Sequence, residues 1–410
     1  MIKRLIKPLA KLALALVVGG VWLPCAWAQE FAPSAYPDRV ILTWSADPTT
    51  TQTVTWRTDV SVTGAKAQVR LEEGTPDLET GAMEYPAETR TFVGKEGRED
   101  RYHHVTFVGL QPAKVYAYRV GDGTHWSEWF QFQTAATGSE PFSFIYLGDA
   151  QNDIKSKWSR TIRQAFRQQP DARFIIHTGD LINRANTDAE WGEWHDGAGF
   201  IHSMIPALPV PGNHEYFRDT QEKPMLDPHW AAQFTLPDNG PMGHQESVYY
   251  MDYQDVRLIG LNSQQMGVEE GSFATQVAWL EKLLQDNPQR WTIVFFHHPI
   301  YSTSKNRSDD SPEARARLKA LFDQHGVDLV FQGHDHTYAR GKGPNATSSG
   351  PVYVLSVAGP KMYKSDSERW MDVSMVDTQL YQTIQVSKDK LQYQAYDVSG
   401  KLVDSFELTK

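Results

Sequence analysis

The sequence has one cysteine in 410 residues, Cys25. That scarcity excludes a disulfide-stapled fold, and because Cys25 lies in the segment read below as a cleavable export signal, thiolate chemistry is not expected and any metal would be held by imidazole, carboxylate and amide groups. Long apolar runs are also scarce. Beyond residue 28 no stretch approaches the ~20 apolar positions that a membrane-spanning helix needs. An excess of positive charge is missing too: 40 Lys and Arg face 50 Asp and Glu. A broad nucleic-acid-binding face is thereby disfavoured. Low complexity is absent as well, because 40% hydrophobic and 12% aromatic content excludes disorder and collagen. At ~150 residues per domain, the length predicts two or three domains with substantial cores.

Residues 1–28 read as a cleavable export signal. Lys3, Arg4, Lys7 and Lys11 precede the apolar run Leu12 to Leu23, and Ala26-Trp27-Ala28 supplies a small-residue cleavage site. Its removal would take away Cys25 and four positive charges, deepening the formal charge of −10 by four. A secreted or periplasmic protein with no stable membrane insertion is expected.

Two textures follow. From about Pro37 to Thr134, short segments rich in β-branched and aromatic residues alternate with turn-formers, as in Val40-Ile41-Leu42-Thr43-Trp44 and Thr53-Val54-Thr55-Trp56. That spacing, with no helical pattern between the strands, predicts a β-sandwich over 34–135 of immunoglobulin or fibronectin type III kind. The run from Leu110 to Gly121 has the look of a tyrosine corner. From 141 to 410 apolar strands alternate with amphipathic helices, the pattern of a layered α/β domain. Strands are expected over Phe142 to Leu147, Arg173 to His177, Ala207 to Val210, Trp291 to Phe296 and Val327 to Phe331. Helices are expected over Trp158 to Gln168, Asp188 to Met204, Phe273 to Gln285 and Pro312 to His325. Four tail segments from Val352 onward read as antiparallel strands completing a second sheet.

Ligands of open α/β sheets bind beyond the carboxyl ends of the strands, so the residues just after each strand matter most. In order they are Gly148-Asp149-Ala150-Gln151, Gly179-Asp180-Leu181-Ile182-Asn183, Gly212-Asn213-His214-Glu215, Phe296-His297-His298-Pro299 and Gly333-His334-Asp335-His336. Each carries oxygen or imidazole donors, in most cases beside a glycine that permits a sharp turn. Any one block alone is weak evidence. The ordered set points to one shared site.

These blocks resemble the calcineurin-like metallophosphoesterases, and within them the purple acid phosphatase branch, over nearly all of the chain after residue 28. The resemblance implies an α/β/β/α four-layer domain following the sandwich, and two metal ions a few ångströms apart. Asp180 would bridge them, Asp149 and His336 would complete the first metal's ligands, and Asn213, His297 and His334 would hold the second. His214 would assist departure of the leaving group, and Glu215 would support the ligands by hydrogen-bonding an imidazole. The implied substrate is a small-molecule phosphate ester.

Two departures from the branch are informative. Asn183 stands where purple members have a metal-binding tyrosine, so two divalent ions, Fe, Mn or Zn, are expected without an obligatory ferric ion or its violet chromophore, and Asn183 itself either contacts a metal or caps the segment that follows. Gln151 stands where the branch has glycine, and it either reaches the first metal through its carbonyl or acts from behind the ligands. His298 is expected to point away from His297 if the strand extends, lining the substrate pocket. Lys305 and Arg307 are candidate phosphate-binding cations in the loop beyond it, with solvated charge as the plainer alternative. His195 and His202, seven apart, read as a surface stripe. The favoured reading is an exported monoester phosphohydrolase. The rivals are a phosphodiesterase on the same site and a non-catalytic surface binding or adhesion protein.

Overall fold

The computed structural model describes residues 31–303, 312–343, 350–366 and 370–410. The expected export signal, Lys305 and Arg307 therefore lie outside the described residues.

The N-terminal region is a sandwich of two four-stranded antiparallel sheets. One runs in the order Asp38–Thr43, Gln52–Thr58, Glu99–Phe107, Glu88–Val93; the other runs Met83–Pro86, Lys66–Leu71, Val115–Gly121, Phe130–Gln133. Alternation explains its second strand: Val54 and Trp56 enter the sandwich core with Val69, Val105, Phe107 and Tyr118. The intervening Thr53, Thr55 and Arg57 are nevertheless buried, because the second domain covers the opposite face. Tyr116 Oη accepts a hydrogen bond from the Gln111 amide at 2.8 Å, the contact expected of a tyrosine corner.

Two large sheets of the second region pack face to face, beside a two-stranded hairpin of Tyr216–Arg218 and Pro224–Leu226. The first has six strands in the order Ala207–Pro209, Ile175–His177, Phe142–Leu147, Leu380–Val386, Lys390–Asp397, Leu402–Thr409. Its first three strands are parallel. The second has seven, and Val256–Gly260, Trp291–Phe295, Leu329–Gln332 and Val352–Leu355 form its parallel centre. The period of two sorts their side chains. Ile293 and Phe295 join Phe144, Tyr146 and Phe331 between the sheets, whereas Val294 and Phe296 meet Leu280, Leu321 and Phe322 from the outer helices Ser272–Gln285 and Pro312–His325. Helices Ser159–Gln168 and Asp188–Ala198 cover the outside of the first sheet. The result is the expected α/β/β/α layering.

Two sequence expectations are corrected. The tail does not complete the second sheet as a unit. Val352–Leu355 joins that sheet, but the strands from Leu380 onward extend the first, with Val386 opposite Phe142 and Gln382 opposite Tyr146. The apolar pattern identifies such strands without saying which partner they pair with. The helix expected over Asp188 to Met204 is two helices, Asp188–Ala198 and Ile201–Met204, broken where Gly199 takes φ 58°. His195 and His202 therefore do not share one helical face. Both are buried, packed against Trp194, and they form no surface stripe.

Candidate metal centre

All the post-strand blocks converge because parallel strands end together. Asp149 follows Phe142–Leu147, Asp180 follows Ile175–His177, and Asn213 follows Ala207–Pro209. From the facing sheet, His297 follows Trp291–Phe295, while His334 and His336 follow Leu329–Gln332. The turns are tight enough to demand unusual backbone. Asp180, His334 and His336 have φ of 52°, 75° and 49°, in the left-handed region that costs non-glycine residues energy and marks functional turns. Glycines open the centre. A Cβ on Gly333 would lie 2.6 Å from Asp149 Oδ2, and one on Gly179 would lie 2.9 Å from His297 Nδ1.

The donor atoms face one another at close range. His297 Nε2 lies 3.2 Å from Asp180 Oδ2 and 3.1 Å from Asn213 Oδ1, and His334 Nδ1 lies 3.0 Å from the same amide oxygen. On the other side, His336 Nε2 is 3.7 Å from Asp149 Oδ1. Asp149, Asp180 and His336 bring one donor atom each within 4.8 Å of one another, close enough to hold an ion, and His297, His298 and His334 do the same. The remaining ring nitrogens fix the tautomers. His297 Nδ1–H donates to the Thr178 carbonyl at 2.8 Å and His336 Nδ1–H to the Lys361 carbonyl at 2.8 Å, which turns each Nε2 toward the centre.

The electrostatics suit cations. Burial pushes the Asp149 carboxyl up to about 8 against the opposing charge of His297, and Asp180 adds to the rise. A carboxyl so placed ionises at neutral pH only with a cation close by. Burial opposes ionisation of Asp180 also, but His297, His214 and His334 hold it below the carboxylate range. His336 is driven down to about 3, chiefly by burial, and so offers a neutral imidazole. Two buried carboxylates, several imidazoles and one neutral amide are a donor set for borderline or hard divalent ions. The residues present fit a metal centre.

Comparisons with known proteins decide the family. Residues 37–134 match the family described as purple acid phosphatase, N-terminal domain, and residues 142–338 match the calcineurin-like phosphoesterases. The chain carries a calcineurin-like metallophosphoesterase domain behind a purple acid phosphatase N-terminal domain. An uncharacterized protein of Mycobacterium tuberculosis is 27% identical over 353 residues, covering 77% of this chain but only 64% of that protein. Purple acid phosphatase 21 of Arabidopsis thaliana is 28% identical over 315 residues, covering 72% of this chain and 69% of its own. Acid phosphatase type 7 of Mus musculus is 27% identical over 369 residues, covering 80% and 79%. Among solved structures, a purple acid phosphatase from yellow lupin seeds superposes with a TM-score of 0.75 at 19% identity, over 92% of this chain and 74% of that one. These likenesses agree with the two-domain fold.

Around these donor groups the structure places residues whose role the sequence did not foretell. Glu215 is fully buried and accepts hydrogen bonds from the amides of Gly212, Asp180 and Leu181 at 2.7, 2.8 and 2.7 Å. It staples two ligand loops together, rather than bonding an imidazole as expected. Burial and the charge of Asp180 push it up to about 7. Gln151 turns its amide nitrogen inward, 2.8 Å from Asp180 Oδ2 and 2.9 Å from His336 Nε2, so its carbonyl oxygen faces away from the ligand atoms. Asn183 meets the site through its main chain: its carbonyl accepts from His214 Nδ1–H at 2.6 Å, and its amide donates to Glu190 at 2.8 Å. His298 does not point away. The strand stops at Phe295, so strand alternation does not govern its direction. Its ring lies 4.5 Å from that of His334 and its Nδ1 lies 2.9 Å from Ser263 Oγ.

Proposed function

We propose that this chain is an exported phosphohydrolase that cleaves phosphate monoesters, built from a sandwich over 34–135 and a catalytic domain over 141–410. The observation that carries the reading is the meeting of six ligand-type side chains from the ends of five strands, with two imidazole tautomers fixed toward one centre. Asp149 and His336 would hold one ion, Asn213, His297 and His334 the other, and Asp180 would touch both. Two divalent ions, Fe, Mn or Zn, supply a nucleophilic water at neutral pH and neutralise phosphoryl oxygens when bound.

His214 is the proton carrier in this reading. Its Nδ1–H is committed to the Asn183 carbonyl, and its backbone amide donates to Asp180 Oδ1 at 2.9 Å, so the ring is oriented from both ends. The free edge, Nε2, lies 4.0 Å from Asp180 Oδ2, at the rim of the donor cluster. A proton on that atom can pass to the leaving oxygen as the phosphorus–oxygen bond breaks. Gln151 supports the ligands as a donor to Asp180, and His298 lines the substrate side next to His334. With asparagine at position 183 in place of tyrosine, metal-loaded protein should lack the violet charge-transfer colour. Hydrolysis of a nitrophenyl monoester and of its bis ester, with added Mn, Zn or Fe, tests the reading. Monoester turnover dependent on metal supports it; a bis ester preference would favour the diesterase reading, and no turnover of either would leave a binding protein.

A further inference from the structure

We propose that Lys361 is a substrate-binding residue that selects the doubly charged phosphate of a monoester over the singly charged phosphate of a diester. The inference rests on the phosphohydrolase reading and deepens it by naming what sets its substrate class. Lys361 lies far from every motif block, in a segment that the structure fixes against the first metal's ligands. Gly359 donates its amide to the Asp149 carbonyl at 2.6 Å, and a Cβ there would come within 2.7 Å of that oxygen and 2.8 Å of the Ala150 carbonyl. Two residues on, the Lys361 carbonyl accepts from His336 Nδ1–H, and the Tyr363 amide donates to the His336 carbonyl at 3.2 Å. The segment is thus held to both Asp149 and His336.

Its side chain is directed inward. Lys361 Nζ donates to Gln151 Oε1 at 3.3 Å, and the other end of that amide touches Asp180 Oδ2 and His336 Nε2. One amide group separates the ammonium from the ligand atoms. The Tyr363 ring lies 5.5 Å from Nζ and 4.7 Å from the His336 ring, forming a wall beside both. Among the described residues no carboxylate forms an ion pair with Lys361. A lysine carries three rotatable donors on a flexible stem, so its bond to a neutral amide oxygen is readily exchanged for one to a phosphoryl oxygen. A monoester carries roughly −1.5 to −2 near pH 7, whereas a diester carries a single charge. A cation at the rim therefore favours the monoester.

The test uses the full metal-loaded chain with Lys361→Met and Lys361→Arg. Expected for Lys361→Met is a fall in kcat/KM for a nitrophenyl monoester of roughly 10- to 100-fold, a fall for the bis ester of less than about threefold, and weaker binding of inorganic phosphate by a similar factor to the monoester loss. Lys361→Arg should keep most monoester activity, and metal content should be unchanged in both. Equal losses on the two esters, or phosphate binding by calorimetry that does not change, would overturn the proposal. If the unaltered protein turns over neither ester, the phosphohydrolase reading fails. The phosphate titration then still decides whether Lys361 binds phosphate.

Discussion

Gly212 shows how little space the ligands leave. Its backbone is ordinary, with φ −99°, yet a Cβ would sit 2.6 Å from the Asp180 amide nitrogen and 2.9 Å from His297 Cε1. Gly212→Ala should therefore displace the carboxylate that touches both proposed ions, lowering bound metal by more than half in elemental analysis while the far-ultraviolet circular dichroism stays unchanged. His214 supports a different expectation. If its Nε2 delivers a proton, His214→Ala should lower kcat by about 10²- to 10⁴-fold on an alkyl phosphate, whose leaving group needs that proton, and much less on a nitrophenyl ester. An equal loss on both substrates would remove the proton-carrier role. The convergence of these donor residues was legible because each stands after an apolar strand, usually beside a glycine. Lys361 and the stapling role of Glu215 were not, since a single charged residue in a loop looks like any solvated one until the fold brings it against something.

The helix Asp188–Ala198 connects the core to the site. Glu190 in its first turn accepts from the amides of Asn183 and Arg184, both at 2.8 Å, and so holds the loop whose carbonyl orients His214. Along the same helix and its neighbours, burial gathers histidines. His177 and His195 are each pushed down to about 3, chiefly by burial, and His177 Nε2 lies 3.3 Å from His202 Nε2. In the unfolded chain such groups take up a proton near 6.5. Between 6.5 and about 3 the unfolded state binds the extra protons, so stability is intact above 6.5 and falls as the pH drops, by about 1.4 kcal/mol per unit for each histidine. Urea unfolding at pH 7 and pH 5 should show this fall, and His195→Gln should reduce it by about 2 kcal/mol. The strands and helices of this region were readable from period and turn residues. The helix break at Gly199 was not, because glycine within an amphipathic pattern is often tolerated.

The two domains are joined by a buried charge cluster. Asp188 receives Arg39 at 2.7 Å, Arg98 at 2.7 Å and Arg57 at 3.2 Å, and Arg57 also reaches Asp100 at 3.1 Å. No sequence pattern foretells a pair such as Arg39 and Asp188, 149 positions apart. Removing one partner from such a cluster strands the others without compensation. Asp188→Ala should cost about 3–5 kcal/mol and split one calorimetric transition into two, as the sandwich and the α/β/β/α region melt separately. A single unshifted transition would show that the apolar contacts alone join them. The strand Phe142–Leu147, which delivers Asp149, is flanked on one side by Ile175–His177 and on the other by Leu380–Val386, more than two hundred residues downstream. During synthesis, then, the sheet bearing Asp149 stays half-built until the residues from Leu380 onward have been made. Pairings of such long reach are slow to form, so the chain stays open, and without a closed cage for ions, until late in its folding.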